Sequence, residues 1–297
     1  MFASDQYELI DVGVGRKLER FGPWILDRPC VAAGEHACRL PGEWNLAHAR
    51  YERTTGERGD WRSAVELPER WTIRHGPIAL EIKLTPFGHV GVFPEQADNW
   101  DWIGERIRTF AAATGLQRRP KVLNLFAYTG ASTLAAAAAR AEVVHIDAAA
   151  NTVAWARRNA ELSGLADAPI RWIVEDARKF VDREVRRGNK YDLVIADPPA
   201  YGHGPKGQPW ELLRDLATLS TAASALVDPA AGATLYTHHS DSLSIAALRD
   251  LPGMGLKGRD GDTNDIDAAN LELGNMRIPD RSGRLLHFGF FCRTCPW

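Results

Sequence analysis

The sequence predicts an α/β protein whose main sheet is mostly parallel and doubly wound, with a small β-rich domain before it. From about Asp98, helices with a 3.6-residue apolar period alternate with short, fully apolar runs. The preceding segment consists of short alternating runs separated by Gly and Pro. Because alternation of the first kind is typical of βαβ units, we predict a β-rich domain over 1–95 and a second domain over 96–297.

The N-terminal domain is predicted from five strand-like runs: Tyr7–Ile10, Lys17–Phe21, Trp24–Leu26, Trp71–His75 and Ile78–Leu84. Between the third and fourth runs, arginines alternate with aromatic residues from Arg50 to Trp71. Such a pattern can stack nucleic acid bases. It also fits tryptophans that fill a small core while the arginines pair with nearby carboxylates. The slightly acidic balance of the segment favours the second interpretation.

The second domain is predicted to hold a seven-stranded sheet. Its strands are expected at Val122–Phe126, Val143–Ile146, Ile170–Val174, Leu193–Ala196, Ala233–Tyr236, Leu271–Arg277 and Leu285–Cys292. Helices are expected over 99–114, 131–140, 149–163, 177–187, 210–226 and 242–250. A polar loop is predicted over Pro252–Asn264, and the turn sequence Asp280–Gly283 predicts a C-terminal antiparallel hairpin.

Composition excludes several classes of protein. The 297 residues carry 36 basic and 38 acidic side chains, a formal charge of −2, and the apolar and charged fractions are those of globular proteins. No apolar run reaches the ~20 residues that cross a bilayer, and the first ten residues lack a signal-peptide pattern, so a cytoplasmic location and no membrane partner are expected. The four cysteines favour reduced thiols over a disulfide framework or a metal site.

Acidic residues follow three consecutive predicted strands: Asp147, Asp176 and Asp197. Ligands of such sheets bind beyond the carboxyl ends of the strands. The loop after the first strand has one glycine, Gly130, whereas a dinucleotide site needs two or three to approach the pyrophosphate, which argues against an NAD oxidoreductase. A phosphate-free nucleoside, S-adenosyl-L-methionine, fits instead: Gly130 admits the amino acid end, Asp147 accepts from the ribose and Asp176 from the adenine amino group.

Each part of this pattern also has a purely structural interpretation. Asp147 and Asp176 are also suited to be helix N-caps. In Asp197-Pro198-Pro199 the two prolines hold an acidic side chain in a rigid, extended segment, which suits the orientation of a nucleophilic nitrogen. Tyr201 would then be free to stack on a base. A Pro-Pro pair is, however, also a common rigid turn. The recurrence at successive strand ends favours the site.

Four stretches resemble class I S-adenosylmethionine-dependent methyltransferases, which have a Rossmann-like fold, and most closely the bacterial 23S (large-subunit) ribosomal RNA methyltransferase family. They are KVLNLFAYTGAST from Lys121, HIDAAANTVAWARRNAELSGL from His145, EDARKF from Glu175 and YDLVIADPPAYGHG from Tyr191. The resemblance implies cofactor binding by Phe93, Gln96, Asn124, Phe126, Tyr128, Thr129, Gly130, Ser132, Asp147, Ala148, Asn159, Asp176, Ala177 and Asp197. It implies a catalytic segment formed by Asp197, Pro198, Pro199 and Tyr201.

The expected activity is direct methyl transfer to a nitrogen, less favourably to an oxygen, with ribosomal RNA as the expected partner. The family members that methylate a cytosine carbon use a cysteine near the fourth or fifth strand end, and this sequence has none at Asp197–Ala200 or Leu235–Ser240. Residues 1–95 do not obviously resemble the family's separate RNA-binding module. A protein or small-molecule substrate, or a non-catalytic cofactor-sensing or RNA-scaffolding role, therefore stays open, as does the oligomeric state.

Overall fold

The computed structural model describes residues 1–34, 36–56, 58–230, 232–239, 243–251 and 271–296. The predicted polar loop over 252–264 lies outside this range. The chain divides into two compact units. The first comprises 1–98 with 276–288, and the second comprises 99–275 with 289–297. The first unit thus adds a C-terminal segment to the predicted N-terminal domain.

Seven described strands precede the first α-helix: β1 (Tyr7–Gly13), β2 (Arg16–Phe21), β3 (Trp24–Pro29), β4 (Ala49–Thr55), β5 (Arg58–Ser63), β6 (Trp71–His75) and β7 (Ile78–Ile82). The first five form a sheet in sequence order, antiparallel except for the parallel pair β3–β4. Strands β6 and β7 pair with each other. The hairpin β4–β5 was not predicted, because charged residues occupy its exposed positions and only Tyr51 and Trp61 pair as rings across it.

The arginine pairing of the second interpretation is found in this unit, whereas its tryptophans are only partly buried: Trp24, Trp44, Trp61 and Trp71. Arg62 lies 2.8 Å from Glu52, and Arg70 contacts both Glu69 and Glu81. The indole N–H of Trp61 donates to the Thr85 carbonyl oxygen at 2.8 Å. These side chains therefore have ion-pair or hydrogen-bond partners within the unit.

A buried ion cluster explains why a C-terminal segment belongs to the first unit. The Arg284 guanidinium donates to Asp11 at 2.9 Å and to Asp280 at 2.8 Å, and both carboxylates are buried. Asp11 also accepts from the backbone N–H of Leu40 and from the indole N–H of Trp44. A buried charge requires such partners, so the three charged groups depend on one another.

The remaining described strands are β8 (Lys121–Leu125), β9 (Glu142–Asp147), β10 (Ile170–Val174), β11 (Leu193–Ala196), β12 (Tyr201–His203), β13 (Pro209–Glu211), β14 (Ala233–His238), β15 (Leu271–Pro279) and β16 (Leu285–Thr294). The α-helices are α1 (Ala97–Thr114), α2 (Ala131–Ala138), α3 (Ala150–Leu162), α4 (Ala177–Arg186), α5 (Leu212–Ser224) and α6 (Ile245–Arg249). The described strands form a seven-stranded sheet in the order β10-β9-β8-β11-β14-β16-β15.

This sheet confirms the predicted fold class. Along the order β10-β9-β8-β11-β14 each strand is parallel to the next, and β16 is antiparallel to β14. Strand β11 is buried along its whole length, as expected of a central strand covered by helices on both faces. The short antiparallel ribbon β12–β13 was not predicted. Within the described residues, no helix combines the length and hydropathy that crossing a bilayer requires.

Candidate active site

The predicted site residues of the second unit gather at the point where the strand order reverses. Strands β8, β9 and β10 run outward on one side, and β11 begins the other side next to β8. The loops that follow β8 and β11 therefore flank a crevice at the carboxyl edge of the sheet, which is where open α/β sheets bind ligands. The loop after β8 carries Gly130, and the loop after β11 carries Asp197.

The loop after β8 is held in a strained conformation. Phe126 and Tyr128 have φ values of 54° and 49°, which cost side-chain-bearing residues roughly 1–3 kcal/mol each. Gly130, the N-cap of α2, has φ 91°, and a Cβ there would lie 3.0 Å from the Ala156 Cβ. The position therefore requires glycine for both its conformation and its close packing. Ser132, the second residue of α2, is partly buried.

A buried polar network supports this loop from below. Asn124 lies within β8, and its amide donates to the Thr133 hydroxyl at 2.9 Å. Thr133 lies 3.0 Å from His145 Nδ1. Which of these two groups donates depends on the tautomer of the His145 ring. Burial lowers the His145 pKa to about 3, so the ring is neutral.

A second buried amide fixes the other side of the loop. Asn159 is fully buried on α3, and its amide donates to the Thr129 carbonyl oxygen at 2.9 Å. The backbone N–H of Ala127 donates to Ile146 on β9 at 2.9 Å. Asn124 and Asn159 are thus located where they shape the loop.

Asp147 ends β9, and few groups of the protein donate hydrogen bonds to its carboxylate. One oxygen accepts from the backbone N–H of Tyr128 and the other from that of Ala149, both at 2.9 Å. Burial raises its pKa. The N-cap of α3 is Ala149, so Asp147 is not the helix cap that the alternative interpretation required. A carboxylate offers about four acceptor positions, which leaves room for the two hydroxyls of a ribose.

Asp176 has a different environment. It is the N-cap of α4 and accepts from the backbone N–H groups of Arg178 and Lys179. The Arg178 guanidinium donates to both of its oxygens, at 3.2 and 2.8 Å. Burial acts to raise the pKa of Asp176, but Arg178 and the backbone donors together hold it below its usual range. Ala177 follows as the first residue of α4, whose N–H has no acceptor within the helix.

Asp197 follows β11 and faces the end of the neighbouring strand β14. Its Oδ2 lies 3.6 Å from His239 Nε2, and the two side chains are 28% and 27% exposed. Pro198 is buried, and the Pro199 carbonyl oxygen accepts from the Trp210 indole N–H at 2.7 Å. Tyr201 is 75% exposed. The segment therefore contains a partly exposed carboxylate and, four residues later, an exposed ring.

Several contributors were absent from the predicted set. The ring centroids of Trp210 and Phe126 lie 4.9 Å apart. The Arg178 Cζ atom lies 5.7 Å from the centroid of the Trp210 ring. The contact of Arg178 with Asp176 could have been predicted, because the two residues are only two positions apart at the start of a predicted helix. Nothing local in the sequence pairs Trp210 with Pro199, because the two meet only when the ribbon β12–β13 folds back.

Phe93 and Gln96 belong to the first unit. Phe93 precedes the short 3-10 helix Pro94–Gln96, and its ring lies 5.7 Å from that of His89. Their assignment to the cofactor pocket stays a prediction. The other predicted site residues belong to the second unit, and Ala148 lies between Asp147 and the start of α3.

The donor set at the crevice fits a phosphate-free nucleoside cofactor. Asp147 and Asp197 present carboxylate oxygens, which repel a phosphate and accept from hydroxyl or amino groups. The loop after β8 has a single glycine and therefore offers no glycine-rich cradle.

Comparison with known proteins agrees with this chemistry. A family model for S-adenosylmethionine-dependent methyltransferases matches residues 40–241. A crystal structure of a SAM-dependent methyltransferase from Agrobacterium tumefaciens is 35% identical, with a TM-score of 0.85 over 98% of this chain and 91% of that one.

Two curated relatives are named as ribosomal RNA large subunit methyltransferases. The K/L enzyme of Chromohalobacter salexigens is 30% identical over 82% of this chain and 30% of its own length. The I enzyme of Aeromonas salmonicida is 32% identical over 63% of this chain and 47% of its own length. The chain thus spans less than half of either relative. The matched family model and the 35% identical crystal structure establish that this chain belongs to the S-adenosylmethionine-dependent methyltransferase family.

Proposed function

We propose that the protein transfers a methyl group in-line from S-adenosyl-L-methionine to a nitrogen of ribosomal RNA. One observation carries the acceptor assignment: Asp197 lies at the switch point, fixed by two prolines and paired with His239. The names of the curated relatives support ribosomal RNA as the substrate class. Oxygen is the less favoured acceptor, because a neutral hydroxyl needs stronger activation than an amine.

The cofactor assignment follows the strand ends. The strained loop from Phe126 to Gly130 is proposed to hold the methionine end, and Asp147 the ribose. Ala177 and Asp176 are proposed to flank the adenine. When bound, S-adenosyl-L-methionine supplies a sulfonium-activated methyl group, so the protein contributes mainly position and a complementary field.

Asp197 is proposed to accept a hydrogen bond from the target amino group and to direct the nitrogen lone pair. If the nitrogen loses a proton, the Asp197–His239 pair is the proposed acceptor. General base assistance of this kind contributes roughly 10²- to 10⁴-fold.

A covalent route through cysteine has no support. Cys292 lies on β16, directly opposite Tyr236 of β14, and is fully buried in the core. Burial raises the pKa of its thiol to about 12, so it stays protonated and is a poor nucleophile. Direct transfer without an enzyme-bound intermediate is therefore the proposed chemistry.

The first unit, which includes residues 1–95, is proposed to contribute to substrate recognition. A protein or small-molecule substrate is the competing proposal, since the chain has no net basic charge. The salt dependence of RNA binding separates the two. A steep fall in affinity with rising salt supports RNA, and a flat, weak response argues against it.

The test of the proposed function is methyl transfer to undermodified large-subunit ribosomal RNA. Labelled cofactor should yield one methylated nucleotide, identified by mass spectrometry after nuclease digestion. Asp197→Asn should lower turnover about 10²- to 10⁴-fold while cofactor affinity stays near wild type. No label in RNA, with label in protein or small molecules from the same extract, would contradict the proposal.

A further inference from the structure

Trp210 is a buried tryptophan on β13, and only 5% of it is exposed. It pairs in register with Gly202 on β12. A Cβ atom at Gly202 would lie 3.9 Å from Trp210 Cδ1 and 3.5 Å from Pro199 Cγ, so the ribbon passes close to both residues. The indole is therefore located beside the Asp197-Pro198-Pro199 segment.

This segment has few backbone groups by which it can be held. Prolines have no N–H, so their peptide units can be fixed by hydrogen bonds only through the carbonyl oxygens. The Trp210 indole N–H donates to the Pro199 carbonyl oxygen at 2.7 Å, and the Leu212 backbone N–H donates to that of Ala200 at 2.9 Å. Because both donors come from residues 210–212, this short stretch fixes the chain that leaves the segment.

The ring of Trp210 also contacts the loop after β8. Its centroid lies 4.9 Å from that of Phe126, and the two ring planes are inclined by 53°, which is a favourable aromatic arrangement. Phe126 has the strained φ of 54°, and such a conformation persists only where its surroundings hold it. Trp210 is thus one of the groups that hold the loop proposed to bind the methionine end.

A third contact reaches the end of β10. The Arg178 Cζ atom lies 5.7 Å from the centroid of the Trp210 ring, within the range of a cation–π interaction. Arg178 in turn donates to both oxygens of Asp176. One side chain therefore contacts groups from three parts of the candidate site: the loop after β8, the end of β10 and the segment after β11.

A buried tryptophan with a satisfied N–H is also an ordinary core residue. Two features go beyond that role. The indole N–H is donated to a proline carbonyl of the proposed catalytic segment, and the ring contact is made with a residue of positive φ in the proposed cofactor loop. Both partners lie where an error in position would affect the reaction and not only the stability of the fold.

We propose that Trp210 is a positioning residue for methyl transfer: its ring holds the cofactor loop through Phe126, and its N–H holds the Asp197-Pro198-Pro199 segment through Pro199. The cofactor methyl group and the acceptor nitrogen are thereby kept in line. This inference rests on the proposed function and deepens it, because it identifies the side chain that joins the cofactor half of the site to the acceptor half. A displacement of about 1 Å between reacting groups can cost roughly 10²-fold in rate.

The experiment separates the two contacts with variants of the full chain. Trp210→Phe retains a ring but lacks the N–H, so kcat should fall about ten- to hundredfold while cofactor affinity by calorimetry stays near wild type. Trp210→Leu also removes the ring contact and should in addition weaken cofactor binding roughly two- to tenfold. Turnover is measured on undermodified large-subunit ribosomal RNA or, if the label enters another class of acceptor, on that acceptor.

Trp155→Phe is the matched control, because Trp155 is similarly buried, at 7% exposed, but lies on α3. It should leave kcat unchanged. Denaturant unfolding of each variant shows which ones are folded under the assay conditions, and if Trp210→Leu is not, Trp210→Phe still tests the hydrogen bond.

A double-mutant cycle distinguishes positioning from a general structural role. If Trp210 acts through the Asp197-Pro198-Pro199 segment, Trp210→Phe should have little further effect on kcat in the Asp197→Asn background, since residues that act as a unit give non-additive losses. Two independent effects would multiply instead.

The inference alone is overturned if Asp197→Asn loses turnover while Trp210→Phe keeps the wild-type kcat. It is also overturned if the losses of the two variants multiply, or if Trp155→Phe lowers kcat as much as Trp210→Phe. The proposed function is judged separately, on the wild-type protein and on Asp197→Asn. Wild-type turnover in Asp197→Asn would overturn the proposed role of Asp197 and this inference together.

Discussion

Asp147 and Asp176 occupy equivalent positions after neighbouring parallel strands, yet their surroundings differ. Among the described residues, Asp147 accepts from backbone N–H groups such as those of Tyr128 and Ala149 and has no cation beside it, and burial raises its pKa. Asp176 receives four donors, two of them from the Arg178 side chain, and its pKa is lowered despite burial. The Asp147 carboxylate keeps free acceptor positions, at an energetic cost to the fold. The acceptor positions of Asp176 are instead occupied by donors of the protein.

The difference teaches that a strand-end carboxylate can serve the ligand or the fold, and that its donors decide which. A group with a raised carboxyl pKa disfavours the folded state at neutral pH, and such groups concentrate at functional sites. A capped and ion-paired carboxylate stabilises its helix instead. The proposed adenine contact of Asp176 therefore has to compete with Arg178, whereas the proposed ribose contact of Asp147 has no such competitor.

The largest expected effect is on Asp147. Asp147→Asn keeps the shape but removes the charge that two ribose hydroxyls would share, at about 1.5–3 kcal/mol per hydrogen bond. Calorimetry should show cofactor affinity reduced about 100-fold or more, while denaturant unfolding shows no loss of stability. Wild-type affinity in this variant would contradict the ribose assignment.

A smaller effect is expected at Asp176, on the stability of the fold instead of on cofactor affinity. Asp176→Ala removes the cap of α4 and should lower the free energy of unfolding by about 0.5–2 kcal/mol. Asp176→Asn is the matched control, because Asn caps a helix as well as Asp but lacks the charge for Arg178. A stable alanine variant with abolished cofactor binding would show that Asp176 contributes to the proposed adenine contact more than to the helix.

The smallest effect is the pH dependence, and the two carboxylates should give opposite signs. Asp176 has a lowered pKa, so its stabilising contribution is present above pH 3.8 and is lost as pH falls below that value. Asp147 has a raised pKa, so it protonates above pH 3.8, and its protonated form costs the fold less.

Cofactor affinity should therefore decline as pH falls through the raised pKa of Asp147, at pH values where Asp176 is still ionised. Calorimetric titrations at several acidic pH values measure this. The Asp147→Asn variant should lose the pH dependence, and a dependence that persists in it would assign the titration to another group.

Much of the candidate site could be proposed from the sequence because the signals it rests on are local. The single-glycine loop, the acidic residues after apolar runs and the Asp-Pro-Pro segment are contiguous patterns, and the strands and helices between them follow from hydrophobic period. Strands β4 and β5 were missed because charged side chains interrupt the apolar alternation. The ribbon β12–β13 was missed because two three-residue strands leave no periodic signal.

The sequence by itself determined the fold class, the order of the sheet strands along the chain and the identity of the strand-end residues. Only the tertiary structure decided which partners each residue has there. Whether a carboxylate is capped, ion-paired or left open depends on groups that folding brings close, such as Arg178 beside Asp176 or His239 beside Asp197. The physical reason is that periodicity encodes burial, which is local, whereas hydrogen bonding and charge pairing join residues that are distant in the chain.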